Sequence, residues 1–287
     1  MGGGPNDSGP IARVGFIGLG DMGGAMAARI VAGGYPLVLW ARRPEALEAF
    51  AGPHVTSASS PTELAAAVDL VGVCVWADDD VRSVVLGEGG VLAGCRPGTI
   101  IAIHSTVLPE TCRELEAAAA ERDVVVVDAP VSGGRQVAEK GELVVAVGGD
   151  EAAYERCRPV FATFGEPVLH LGPLGSAQLA KLVNNSMLAA NFAIADDALT
   201  LGVRYGIAPD AMAAVLRNGS GRSYALDVAL GSRSSADIRS ALRGFLEKDV
   251  AVLQDAASTE RPSMPQLADA SLEAVRRLGD PPDGWAR

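Results

Sequence analysis

The chain has 287 residues, of which 48% are hydrophobic and 21% charged, with 24 Lys plus Arg against 35 Asp plus Glu and a net charge of −11. This length suits one large domain or two small ones, and the apolar content excludes a disordered chain. The acidic balance disfavours nucleic acid as a partner, so any phosphate site must be small and local.

Residues 1–10 read as a disordered leader, since they carry neither a basic nor an apolar signal segment. From there strands and helices alternate. Ala12–Ile17, Pro36–Trp40, Leu70–Trp76, Thr99–Ile103, Val124–Val127 and Leu143–Val147 read as strands. Met22–Val31, Glu45–Phe50, Glu63–Ala67, Asp79–Val85 and Glu110–Glu121 read as helices. Strands apolar throughout, such as Val124–Val127, fit a parallel sheet covered on both faces. The expectation is a Rossmann-like, doubly wound α/β domain over residues 11–171.

After about Gly165 the pattern changes. A last strand signal, Val168–Leu171, gives way to Ala/Leu-rich helical stretches. One long helix is expected over about residues 174–205, with Gly206 as its stop. Further helices are expected from Pro209, over Ile238–Ser258 and over Met264–Leu278, with Pro262 and Pro265 in the gap. Residues 172–287 thus read as an all-helical domain joined to the first by the long helix. No apolar run reaches the ~20 uninterrupted residues of a membrane span. Cys74, Cys95, Cys112 and Cys157 show no metal-ligand spacing and are too sparse for a disulfide scaffold, so no metal is expected and the reading is cytoplasmic.

Three places carry chemistry. The first strand runs into Gly18-Leu19-Gly20-Asp21-Met22-Gly23 and then a helix, which is a GxGxxG turn in the setting it requires. Gly18 serves the tight turn, Gly20 the approach of a pyrophosphate, and Gly23 the packing of helix on strand. The helix amino end then offers N–H groups to the phosphates. The second strand ends without an acid for ribose hydroxyls and is followed by Arg42 and Arg43. That favours NADP, with Glu45 keeping NAD open. Lys181 is the sole full charge between Pro167 and Ala195, with no acid at i±3 or i±4. Asn185 lies one helical turn on, so both can face one cavity. Burial would lower the lysine pKa and suit acid–base work. The other reading is a lysine snorkelling to the surface.

Gly15–Gly23, His104-Ser105-Thr106, Asp128-Ala-Pro-Val-Ser-Gly-Gly134, Lys181-Leu-Val-Asn-Asn185 and Lys248-Asp249 occur in this order. On these motifs the chain resembles the β-hydroxyacid dehydrogenase family, which includes 3-hydroxyisobutyrate dehydrogenases and the small semialdehyde and glyoxylate reductases. The resemblance implies that Lys181 is the catalytic lysine and that Asn185 helps to hold substrate. It implies that Ser132, Gly133 and Gly134 bind the substrate carboxylate or hydroxyl. Ser105 and Thr106 would line the nicotinamide, and Lys248 would reach the cofactor. The implied partner is a small hydroxy acid or semialdehyde, and the implied assembly a homodimer or homotetramer. Val137 departs from the family loop, which often has Gly there, and Arg135 is unusual enough to affect substrate choice. His104 reads as a structural residue. An imine reductase of the same fold and a non-catalytic NADP-binding module are the competing readings.

Overall fold

The computed structural model describes residues 9–260 and 265–279. It divides into two compact units, the first ending at Lys181 and the second beginning at Leu182.

The first unit opens with β1 (Val14–Ile17), α1 (Asp21–Ala32) and β2 (Leu37–Trp40). A single 3-10 turn, Pro44–Leu47, stands where a helix over Glu45–Phe50 is expected. Then come β3 (Val55–Ser57), α2 (Pro61–Ala66), β4 (Leu70–Val73), α3 (Asp78–Leu86), α4 (Val91–Gly94), β5 (Ile100–Ile103) and α5 (Pro109–Ala120). After β6 (Val125–Asp128) follow β7 (Val131–Ser132), α6 (Arg135–Lys140), β8 (Leu143–Val147), α7 (Glu151–Phe161) and β9 (Gly165–His170).

The large sheet has the order β3-β2-β1-β4-β5-β6, and all its pairings are parallel. This is the doubly wound Rossmann order, whose direction reverses between β1 and β4. Alternation along each strand feeds two cores. Val14, Phe16, Leu37, Leu39, Ile100 and Val127 meet α1 and α7 on one face. Ile17, Val38, Val71, Val73, Ile101, Ile103 and Val126 meet α2, α3, α4 and α5 on the other. Burial on both faces is why β1, β2, β4 and β5 carry no polar side chain. A small sheet, β7-β8-β9, extends the fold, with β7 antiparallel and β9 parallel to β8.

The chain leaves the first unit along α8 (Ser176–Arg204), 29 residues long. The second unit adds α9 (Pro209–Asn218), α10 (Tyr224–Ser234), α11 (Ala236–Glu260) and α12 (Pro265–Gly279). Its core joins Phe192 and Leu199 to Leu226, Leu246, Val250 and Leu278. Fully buried Asp196 lies 2.9 Å from Arg233 Nε, and Arg277 pairs with Asp197 at 2.6 Å. The leader through residue 8, Pro262 and Met264 fall outside the described residues. No described helix is long and apolar enough to cross a membrane.

The amino end of α8 is held by β6. Asp128, the last residue of β6 and fully buried, accepts from Gly175 N at 2.8 Å and from Gln178 N at 2.7 Å. A buried carboxylate is tolerated only with such donors. Burial pushes its pKa up, and the backbone N–H groups of Gly175 and Gln178 oppose that. Asp128→Ala should strand two buried donors and destabilise the first unit by about 2–4 kcal/mol. Urea unfolding followed by near-UV circular dichroism measures this, and an unchanged midpoint contradicts the clamp.

Candidate functional site

In a doubly wound sheet, ligands bind outside the carboxyl ends of the strands, at the switch point. Here that point lies between β1 and β4. The turn after β1 has three glycines in three different roles. Gly18 has φ +94, and a methyl group on it would sit 2.0 Å from the Cys74 carbonyl oxygen. A methyl on Gly23 would sit 1.9 Å from the Gly18 carbonyl oxygen. Gly20 meets nothing within 4 Å, so its face is open. It is the N-cap of α1, and no side chain caps that helix. The first N–H groups of α1 are therefore left for an anion, with a backbone that can approach closely. These residues fit the pyrophosphate of a dinucleotide. Leu19, Asp21 and Met22 fill the rest of the turn, with Asp21 the acid of the first helical turn.

Arg42 and Arg43 are both exposed beyond β2. Arg42 lies 3.8 Å from Asp80 of α3. Glu45 is exposed in the 3-10 turn.

The end of β5 is fixed by hydrogen bonds. Ser105 is buried, and its Oγ accepts from Val75 N at 2.9 Å. Its carbonyl accepts from Gln178 Nε2 at 2.8 Å, while Gln178 Oε1 accepts from Val107 N at 3.1 Å. The Ser105 hydroxyl thus knits β4 to β5, and Thr106 beside it is half-buried. Ser132 and Gly133 are half-buried after β6, and Gly134 is exposed with φ +81 as the N-cap of α6. Val137 packs on Gly133, where a methyl would sit 2.7 Å from its Cγ1. Lys181 is half-buried on the second turn of α8, three residues beyond Gln178.

In the second unit Asn185 is buried and doubly engaged. Its Nδ2 donates to Asp249 Oδ2 at 2.5 Å, and its Oδ1 accepts from Asn184 at 3.1 Å. Lys248 Nζ lies 3.3 Å from the other oxygen of Asp249. Asp249 is 1% exposed. It holds the lysine and the carboxamide singled out from sequence, and sequence reasoning gave it no role. The signal for it was its place next to Lys248, at the start of the apolar run Val250–Leu253. Asp128 and Gln178 were missed in the same way. An acid ending an all-apolar strand was the available sign. Among the described residues no group of three His, Cys, Asp or Glu could hold a metal ion.

His104 is buried among Phe16, Phe161 and Phe164, with ring centroids 5.3–5.8 Å away. Its Nδ1–H donates to the Ala129 carbonyl at 2.8 Å. Burial lowers its pKa to about 4.

Residues 13–172 match the family described as the NAD binding domain of 6-phosphogluconate dehydrogenase. Residues 175–279 match the one described as NAD-binding of NADP-dependent 3-hydroxyisobutyrate dehydrogenase. A 2-(hydroxymethyl)glutarate dehydrogenase of Eubacterium barkeri is 33% identical, covering 93% of this chain and 90% of its own. An NAD-dependent L-serine dehydrogenase of Pseudomonas aeruginosa is 32% identical, covering 95% and 99%. The structure of Mycobacterium tuberculosis 3-hydroxyisobutyrate dehydrogenase with L-serine has a TM-score of 0.80 at 27% identity, over 94% of each chain. A reductive aminase from Aspergillus terreus, at 20% identity and TM-score 0.63 over 94% of each chain, shares the fold alone.

The depressed pKa of His104 carries a sign. Between about pH 6.5 and 4 the unfolded chain binds the proton and the folded chain does not, so the contribution of this neutral histidine is full above 6.5 and falls on acidification. The urea midpoint of wild type should exceed that of His104→Gln by more at pH 7 than at pH 5. Equal gaps at the two pH values contradict a neutral buried imidazole.

Proposed function

Because the chain belongs to the β-hydroxyacid dehydrogenase family, we infer that it is a nicotinamide-dependent oxidoreductase that interconverts a small β-hydroxy acid and its semialdehyde. The observation that carries this reading is the open, uncapped Gly20 turn after β1 in the same unit as the Ser132–Gly134 loop and Lys181.

When bound, the dinucleotide accepts or delivers the hydride. The residues of the chain do the rest. The amino end of α1 binds the pyrophosphate through backbone N–H groups. Arg42 and Arg43 grip a 2′-phosphate, which makes NADP the preferred cofactor and NAD the weaker one. Ser105 and Thr106 line the nicotinamide, with Ser105 acting through its fixed backbone. Ser132, Gly133 and Gly134 bind the substrate carboxylate. Lys181 gives a proton to the developing alkoxide in reduction and takes the hydroxyl proton in oxidation. Asn185 orients the substrate, with Asp249 holding its carboxamide, and Lys248 serves the cofactor. Holding the reacting groups in place supplies much of the rate.

A carbonyl substrate is favoured over an imine by the relatives. Relatives at 30% identity or more include dehydrogenases of 2-(hydroxymethyl)glutarate, L-serine and 3-hydroxyisobutyrate, whereas the imine-type neighbours fall to about 20% and share the fold alone. The second unit carries exposed apolar residues on one face of α8, among them Val183, Met187, Ile194 and Leu201. Their spacing of four and seven residues makes one stripe. A stripe of this kind marks an interface, and we assign it to a homodimer or homotetramer.

Lys181→Met should retain NADPH binding and lose turnover of small semialdehydes by about 10²–10⁴-fold. In the same assay wild type should turn over semialdehydes faster than cyclic imines, and with NADPH faster than with NADH. Near-normal turnover by the variant removes Lys181 from the acid–base role, and preference for imines overturns the substrate class. Separately, Ile194→Glu should lower the assembly mass measured by light scattering, and an unchanged mass contradicts the α8 interface.

A further inference from the structure

The first residue of α1 is an acid. Asp21 sits in the turn whose N–H groups suit a pyrophosphate, and its side chain is 85% exposed. A carboxylate there is favourable to the helix dipole and adverse to a phosphate brought to the same turn. The chain answers it from a distant segment. Arg135, the first residue of α6, puts NH1 3.3 Å from Asp21 Oδ1. The same guanidinium places Nε 2.8 Å from Glu139 Oε1. Glu139, four residues on along α6, is a sufficient partner for a surface arginine, so the reach across to Asp21 is the informative contact. Gly134 makes it achievable, since its φ of +81 starts α6 directly after the Ser132–Gly134 loop. The pair therefore joins the Gly-rich turn to the substrate loop within one unit. Both partners are exposed, so the pair does little for stability.

We propose that Arg135 is a positioning residue for the dinucleotide: it cancels the charge of Asp21 at the phosphate turn and ties the substrate loop to that turn. The proposal rests on the cofactor reading given above. It makes Asp21 a cost to cofactor binding that Arg135 offsets. Without Arg135, the Asp21 carboxylate stands unneutralised at the turn that receives the pyrophosphate.

The test is the dissociation constant of NADPH, read by quenching of tryptophan fluorescence. It is measured for wild type, Arg135→Gln, Arg135→Lys, Asp21→Asn and the double variant Asp21→Asn/Arg135→Gln. Arg135→Gln should weaken binding about three- to tenfold at low salt, with the loss shrinking in high salt. Arg135→Lys should stay near wild type. The double variant should recover most of the loss, because no acid is then left at the phosphate turn itself. Urea midpoints should be equal throughout. Binding by Arg135→Gln within twofold of wild type, or a double variant as weak as Arg135→Gln, overturns the proposal. Failure of wild type to bind either NADPH or NADH overturns the cofactor reading itself, and this proposal with it.

Discussion

The carboxylate of Asp128 fixes the start of the longest helix to the edge of the sheet where chemistry is expected. Both of its oxygens are used by the first turn of α8, through Gly175 N and Gln178 N. The next contact uses the side chain of Gln178, which bonds Ser105 O and Val107 N just beyond β5. Two neighbouring strand ends therefore grip one helical turn. Lys181 is three residues further on, so its backbone position follows from theirs. The arrangement tolerates no side chain beside it, because a methyl on Gly148 would sit 2.3 Å from Asp128 Oδ1. A buried carboxylate is costly, and backbone donors with the field of a helix amino end are what make it tolerable.

The second unit repeats this logic with different chemistry. Asp249 is buried and serves an amide and an ammonium, Asn185 and Lys248. Asp196 is buried beside Arg233, with Arg277 at 3.7 Å. Each of these acids lies on or against α8 or α11, the two longest helices. A buried charge adds to the cost of any other register, since only one pairs it.

What the sequence made legible was local. The Gly18–Gly23 turn, the apolar strands and the long helix each depend on residues near in the chain, and their spacing states their structure. Boundaries drifted where a strand continued into loop. Leu70–Trp76 reads as one run, yet pairing stops at Val73, because Cys74 onward must pass over Gly18. β3 and β7, of three and two residues, are too short to show a period. The six-residue helix α6 is confined between Gly134 and Gly141, both at positive φ, and reads as loop. α7 carried a usable sign, with Asp150 accepting from Ala153 N as its N-cap. Asp128, Gln178 and Asp249 were hidden for another reason. Their partners lie 47 to 73 residues away, and no local pattern announces them.

The net charge of −11 takes on a different meaning at the carboxyl edge of the sheet. Acids are not excluded from it. Asp78 accepts from Leu108 N at 2.9 Å and from the Thr111 hydroxyl at 2.6 Å, which ties the start of α3 to the start of α5. Asp79 pairs with Arg82, Asp80 with Arg42, and Asp21 with Arg135. Asp128 is covered by the amino end of α8. Every acid named here has a donor or a cation drawn from the same edge. Such pairing leaves little field to oppose an anion there, although the molecule as a whole repels one. On the proposed reading, backbone N–H groups at the amino end of α1 would hold the pyrophosphate, and the acid beside them, Asp21, is already paired with Arg135.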